Sequence, residues 1–193
     1  ANINTSKDKF SSIIAHDLKG PIASFYGFAD LLDKNIGQMN NEDIRDLSQK
    51  MKISINRTHK LLDNLLLWAR VQMNDLKVTK KQIDLSKLIQ ESVALSTAMA
   101  NKKKIDLVVI NDNLHSIVKT DVNMVSTILR NLINNAIKFS HHDSQVFIEL
   151  KREIGNFIIA IKDQGLGMNN FTKKNLFNLS VKTTQPGTMK ELG

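Results

Sequence analysis

A histidine and an aspartate stand side by side in the stretch IAHDLKGP, which has the apolar spacing of an amphipathic helix. Ile14 and Leu18 mark the apolar stripe, and His16 lies about 200° around the helix from each, so it points away from the core. Pro21 lacks the N–H that would bond one turn back, which bends the helix just past the histidine. An exposed imidazole beside a carboxylate can attack a phosphoryl group. His16 and Asp17 are therefore a candidate catalytic pair, and the alternative is an inconsequential surface histidine.

Three asparagines fall within five positions of a second helical stretch, RNLINNAIKF. At helical spacing Asn131, Asn134, Asn135 and Lys138 share one face, and an apolar face covers the other side. Asparagine is a poor residue for a helix interior, so the cluster indicates use, against the alternative of a solvated polar face. An amide oxygen is a hard ligand for Mg²⁺, and a lysine one turn away can meet phosphates that the metal bridges. The apolar face is predicted to contain Val125, Ile128, Leu129, Leu132, Ile133, Ala136 and Phe139.

A glycine-rich turn follows an apolar strand in the sequence IIAIKDQGLGM. Gly165 and Gly167 permit positive φ and a close approach of ligand to backbone. The carboxylate of Asp163 can accept a hydrogen bond from an exocyclic amine such as that of adenine. Alone, such a turn could be only the tight end of a buried strand.

In combination these motifs resemble those of the sensor histidine kinases. IAHDLKGP is similar to the family's H-box, DVNMVSTILRNLINNAIKFS to its N-box, DQGLGM to its G1 box, and Leu176-Phe177 to the F-box of its ATP lid. The order and spacing agree as well. The resemblance covers nearly the whole chain: residues 1–73 match the dimerisation and histidine-phosphotransfer domain, and residues 74–193 the catalytic ATP-binding domain of the gyrase, chaperone, histidine kinase and mismatch-repair superfamily.

The resemblance implies an enzyme, a protein-histidine kinase that uses ATP and Mg²⁺. His16 would accept the γ-phosphoryl group with Asp17 as proton acceptor, and the group would pass to an aspartate on the receiver domain of a response regulator. The implied ATP-binding roles are Mg²⁺ coordination by Asn135, a position beside the triphosphate for Asn131, phosphate contact by Lys138, adenine recognition by Asp163, and shaping of the pocket by Gly165 and Gly167.

Two departures from the family pattern modify these expectations. Members that dephosphorylate their partner efficiently have Thr or Asn four residues after the histidine, and Gly20 stands there, so weak dephosphorylation is expected. The sequence ends at Gly193, where the family continues into a second glycine box and further elements. We therefore expect a truncated ATP-binding domain with impaired ATP binding and little autokinase activity.

Other function classes remain open at this stage. The chain could act mainly as a dimeric phosphotransfer and docking scaffold without effective nucleotide chemistry. A nucleic-acid binder rests on charge alone, since the 27 Lys and Arg against 19 Asp and Glu give a net charge of +8 but are spread along the chain with few aromatic residues. No nucleic-acid partner is expected. The one basic run, Lys102 to Lys104, is interpreted as a solvated helix end.

The amino-acid composition limits the kinds of site and the cellular location that we expect for this chain. The chain has no cysteine, which excludes disulfides and thiolate metal sites. No apolar run approaches the roughly 18 residues of a membrane span. A cytoplasmic location is expected, with membrane attachment only through parts outside this sequence.

The elements that position these residues fall into two groups. Apolar residues at steps of three and four predict one long helix ending near Gly37 and a second from Asn40, whose seam runs through Ile44, Leu47, Met51, Ile55, Thr58, Leu62, Leu65, Ala69 and Met73. A hairpin with one apolar face cannot bury it alone, so a homodimeric four-helix bundle is expected. From residue 74 the pattern predicts an α+β domain, an α/β sandwich lacking its last elements, with strands at 77–84, 105–110, 116–119, 145–153 and 155–162 and helices at 85–100 and 122–139.

Overall fold

A computed structural model describes residues 2–73, 75, 77–111, 116–178, 181, 183 and 185–189, with side chains from Leu18 onward except that of Trp68. The chain divides into two compact units, Ala1–Lys77 and Val78–Gly193. The domain limits expected from the sequence, 1–73 and 74–193, stay a prediction. In the described residues no helix is long and apolar enough to cross a membrane.

The first unit is a helical hairpin of α1 (Asn2–Asn35) and α2 (Asn41–Gln72). Asn40 caps α2, because its side chain accepts from the backbone N–H groups of Glu42 and Asp43 at 2.8 and 2.9 Å. The Asp43 carboxylate accepts in return from the backbone N–H of Asn40 at 3.3 Å. This capping box satisfies orphan donors at the start of the helix and fixes the end of the short connection.

The hairpin leaves much of its apolar surface uncovered. Leu47 and Ser54 are the buried residues among its described side chains. Along the predicted seam, Ile55, Leu62 and Met73 are exposed in the single chain, so the hairpin alone does not cover that face. Exposed large apolar side chains follow both helices: Ile22, Phe25, Tyr26, Leu31, Ile53, Ile55, Leu62, Leu66, Leu67 and Val71. An uncovered apolar surface of this extent is typical of an interaction site.

The second unit is an α/β sandwich, as the sequence predicts. Helices α3 (Leu85–Lys102) and α4 (Val122–Phe139) contact a three-stranded sheet of β2 (Asp106–Asn111), β4 (Gln145–Glu153) and β5 (Asn156–Lys162). Strand β4 is central, parallel to β2 and antiparallel to β5. Strands β1 (Lys81–Asp84) and β3 (Ile117–Thr120) form a separate antiparallel pair. A short helix, α5 (Asn170–Asn175), follows the glycine-rich turn and is not predicted by the sequence.

The core of this unit lies between the two helices and the sheet. It is formed by Leu85, Leu88, Ile89, Ala100, Ile105, Leu129, Ile133, Ala136, Ile137, Val146, Ile148 and Leu150. Three residues of the predicted apolar face of α4 are outside it: Ile128 and Leu132 are 57% and 47% exposed, and Phe139 is half-buried. Val125 is half-buried and packs against the core.

Candidate functional site

The glycine-rich turn is bonded directly to the C-terminal end of α4. Ser140 and Gly165 form an antiparallel bridge, and the backbone N–H of Leu166 donates to the Phe139 carbonyl at 3.1 Å. The His141 N–H donates to the Gln164 carbonyl at 3.3 Å. The two motifs singled out in the sequence therefore meet at one edge of the sheet.

Gly165 is required by this contact for a steric reason. A Cβ at this position would lie 2.5 Å from the carbonyl carbon of Phe139, would overlap its oxygen, and would lie 2.9 Å from Oδ1 of Asp163. Gly167 has φ +63°, a left-handed conformation that glycine adopts without strain. One glycine thus permits close backbone approach, and the other permits the turn.

Asp163 is exposed at the start of the turn. Its Oδ1 accepts a hydrogen bond from the backbone N–H of Gly165 at 3.0 Å. This bond orients the carboxylate and still leaves acceptor capacity, because an ionised carboxylate has about four lone-pair sites. The geometry is compatible with recognition of an amine on a ligand.

The asparagines of α4 divide into two kinds. Asn131 and Asn135 are exposed, whereas Asn134 is half-buried and its Oδ1 accepts from the Ser96 hydroxyl at 3.1 Å. Asn134 therefore ties α4 to α3, while the other two face solvent. The Lys138 ammonium lies 4.9 Å from the centroid of the Phe139 ring. The exposed carboxamides and this ammonium are on the same face of α4, with Asn135 about one turn from each of the other two.

The exposed side chains on this face of α4 suit a divalent cation that is already bound to the phosphates of a nucleotide. The part of the chain that the structure describes contains no cluster of three His, Cys, Asp or Glu residues that could hold a metal. Mg²⁺ commonly uses one or two protein oxygens and completes its shell with waters and phosphates. The exposed Asn135 carboxamide fits that role.

The other end of α4 is fixed by Asp121. Its carboxylate accepts from the backbone N–H of Thr79 at 2.7 Å and from that of Met124 at 3.1 Å. These hydrogen bonds, the Thr79 bond first, hold the pKa of Asp121 below its usual value. The residue both caps the helix and ties it to the first residues of the second unit.

One residue near the site is missed by sequence reasoning. Lys103 is 2% exposed, so the interpretation of Lys102 to Lys104 as a solvated helix end is wrong for this lysine, although its two neighbours are exposed. Its Nζ donates to the carbonyl oxygens of Ile137 and Lys138 at 3.1 and 2.7 Å. The sequence of three consecutive lysines does not indicate that one of them is buried, or which one.

The two candidate catalytic residues lie in α1. Their backbone is helical, but the side chains of His16 and Asp17 lie outside the described residues, and the predictions for them stay predictions. In the lid-like segment, Phe177 is 93% exposed and Leu176 is 47% exposed.

Comparison with known proteins identifies the family. Residues 6–74 match the His Kinase A phospho-acceptor domain, and residues 120–192 match the domain described as histidine kinase-, DNA gyrase B- and HSP90-like ATPase. The two domains occur in the order that the motifs indicate. The chain belongs to the sensor histidine kinases.

Two curated relatives are cell-division control histidine kinases named PdhS. The protein from Brucella anthropi is 26% identical over 168 residues, which cover 86% of this chain, and that from Brucella suis is 26% identical over 169 residues with the same coverage. The matched part is 16% of each relative's length. The chain thus corresponds to a small part of these longer proteins.

Solved structures share the fold. The Acinetobacter baumannii histidine kinase AdeS superposes with a TM-score of 0.70 at 20% identity, covering 84% of this chain and 78% of that one. Histidine kinase ThkA, solved in complex with the response regulator protein TrrA, superposes with a TM-score of 0.68 at 19% identity, covering 87% of this chain and 48% of that one. A helical hairpin followed by an α/β domain with a mixed sheet is common to all three.

Proposed function

We propose that this chain is the catalytic core of a protein-histidine kinase, which transfers the γ-phosphoryl group of ATP to His16. The family membership supports the reaction class. The proposal for this site is supported chiefly by the pairing of Ser140 with Gly165. This pairing joins the C-terminal end of α4, the helix that contains Asn131 and Asn135, to the glycine-rich turn. The result is an exposed edge where Asp163 could meet the base and Asn131, Asn135 and Lys138 the phosphates.

In this proposal Asn135 holds Mg²⁺, which when bound neutralises charge on the phosphates during transfer. The Lys138 ammonium binds phosphate as a point charge. On the hairpin, Asp17 accepts the proton of the His16 imidazole, so that the free ring nitrogen forms the bond to phosphorus as the bond to ADP breaks. The weak ATP binding expected from the sequence stays a prediction, and calorimetry of this chain with ATP tests it.

The proposed partners are a second copy of the chain and the receiver domain of a response regulator. The exposed apolar side chains of α1 and α2 support the homodimer, because a hairpin alone leaves them in water. Light scattering should give the dimer mass, and a monomer at high concentration would contradict it. A cytoplasmic location is part of the same proposal.

Labelling with γ-³²P ATP and Mg²⁺, at saturating nucleotide, tests the function. We expect a low level of acid-labile label on the wild type, none on His16→Gln, and the wild-type level on His59→Gln. His59 is a suitable control because it is an exposed histidine of α2 that pairs only with Asp63 one turn away, at 3.1 Å among the described contacts.

Label that persists in His16→Gln would refute the assignment of the phosphoacceptor. A dimeric wild type that takes no label from ATP, but accepts phosphoryl groups from a phosphorylated receiver domain, would favour the scaffold alternative. Rapid dephosphorylation of the receiver in the presence of ADP would contradict the weak phosphatase activity that we predict from Gly20.

A further inference from the structure

Lys103 lies at the C-cap of α3 with its side chain inside the second unit. Burial of an ammonium costs several kcal/mol unless hydrogen bonds replace its water shell. That cost is comparable with the whole free energy of unfolding of a small domain. A buried lysine must therefore have partners, and those partners show what it holds together.

Among the described contacts, the ammonium donates to three oxygen atoms. Two are the carbonyls of Ile137 and Lys138 in the last turn of α4, and the third is the Thr188 hydroxyl at 2.6 Å. Carbonyls in the last turn of a helix lack intrahelical donors and lie at the negative end of the helix dipole. Three N–H groups meet three oxygens there, so Lys103 caps α4 from the side.

Thr188 links Lys103 to the segment 185–189, of which it is a member. Its hydroxyl accepts from Lys103 and donates to the Ser140 carbonyl at 2.7 Å, and its backbone N–H donates to the Lys138 carbonyl at 3.2 Å. A hydroxyl has one donor and two acceptor sites, so the ammonium fixes the direction in which the hydroxyl donates. Lys103 and Thr188 are 85 positions apart in sequence.

Leu166 and Thr188, at the two ends of the segment between them, are thereby attached to one stretch of three residues, 138–140. Leu166 donates to the Phe139 carbonyl at one end, and Thr188 bonds to Lys138 and Ser140 at the other. The segment between them contains the residues that resemble an ATP lid. Its near anchor consists of backbone bonds that form part of the glycine-rich turn. Its far anchor combines the two bonds of Thr188 to Lys138 and Ser140 with the bond that its hydroxyl accepts from the Lys103 side chain of α3.

We infer that Lys103 is a positioning residue for nucleotide binding, acting through Thr188 to fasten the far end of the lid to the helix that carries Asn135 and Lys138. The inference rests on the proposed function, since it assigns the segment to the same nucleotide site. Without the ammonium, Thr188 keeps its described bonds to Lys138 and Ser140 but its hydroxyl is no longer held in one direction, so ordering Thr188 costs more entropy each time ATP binds.

Amide hydrogen exchange and ATP affinity measured on the same variants test this inference. Lys103→Met keeps an unbranched side chain, one atom shorter, and removes the three donors; Thr188→Val removes the hydroxyl with no charge change. Lys102→Met is the control, because Lys102 is exposed at the end of the same helix. We expect Thr188 to lose amide protection in Lys103→Met while Ser140, whose N–H bonds to the Ala136 carbonyl at 3.0 Å, stays protected.

For nucleotide we expect about tenfold weaker ATP affinity in both Lys103→Met and Thr188→Val, no change in Lys102→Met, and little further loss in the double variant, because the two side chains form one contact. An unaltered Thr188 amide, or affinity equal to that of the control, would overturn the inference. If Lys103→Met unfolds, Thr188→Val decides by the affinity measurement. A wild type that binds no ATP would overturn the proposed function, and the exchange comparison would still decide the anchor.

Discussion

The Ser54 hydroxyl of α2 donates a hydrogen bond to the Pro21 carbonyl of α1, with 2.9 Å between the oxygens. Ser54 is 6% exposed, so this bond is made away from water on the inner side of the hairpin. Pro21 also interrupts the backbone bonding of α1, because it has no N–H to donate. The bond from Ser54 therefore attaches α2 to α1 at the position where α1 lacks a backbone hydrogen bond. This position is five residues beyond His16, the proposed phosphoacceptor.

Replacing Ser54 by alanine should lower the free energy of unfolding of the hairpin. We expect a loss of about 1 kcal/mol from the missing hydrogen bond, partly offset by the better helix propensity of alanine. Ser48→Ala is the matched control, since Ser48 is exposed on the same helix and gains the same propensity. Urea unfolding followed by circular dichroism measures both. Equal midpoints for the two variants would show that the bond contributes nothing.

Gly165→Ala should be the most damaging glycine substitution in the second unit. The added methyl group would overlap the Phe139 carbonyl, a backbone atom that cannot rotate away, and we expect a loss of at least about 2 kcal/mol. Gly155→Ala is the comparison: it has φ +82° in the β4–β5 turn but open space around it, so left-handed strain of about 1 kcal/mol is its only cost. Thermal unfolding ranks the two, and the reverse order would refute the steric argument.

The sequence was sufficient for most elements because their signals are local. Helix α4 has the predicted bounds, Val122–Phe139, since Asp121 provides an N-cap and the apolar period is unbroken. Strands β4 and β5 likewise lie within one residue of the predicted ranges 145–153 and 155–162, and Gly155 between them has positive φ. The pairing of Ser140 with Gly165 depends on tertiary contact, and the motifs gave only the residue types that permit it.

The errors come from positions where a partner far along the chain decides the outcome. Helical spacing gave no reason to expect Ser54 to be buried, yet it lies against α1, where its hydroxyl donates to the Pro21 carbonyl. In the same way Lys103 is buried because α4 ends beside it. The residues next to Ser54 and Lys103 in the sequence do not indicate that the Pro21 carbonyl or the end of α4 lies beside them.

The contribution of Asp121 to stability should depend on pH with a defined sign. Backbone hydrogen bonds hold its pKa in the folded state below the unfolded value of about 3.9, so its stabilising effect is complete above that pH. The effect is lost as the pH falls through the lower folded value. We expect the stability difference between wild type and Asp121→Asn to be constant near neutral pH and to shrink below about pH 4.

Urea unfolding at a series of pH values measures this difference. Asp106→Asn serves as control, because Asp106 is exposed at the start of β2. A difference for Asp121→Asn that is unchanged at the lowest pH would exclude the ionised carboxylate as its source.

Gly20 and Gly27 allow a test of how the proline shapes α1. A Cβ at either glycine would have open space, so replacing glycine by alanine in a helix should stabilise by about 0.5–1 kcal/mol. Gly20 differs in preceding Pro21, whose ring disfavours helical backbone in a preceding residue that has a Cβ. We therefore expect Gly27→Ala to raise the urea midpoint of the hairpin and Gly20→Ala to raise it less or lower it. Equal gains would mean that the glycine before the proline has no conformational role in α1.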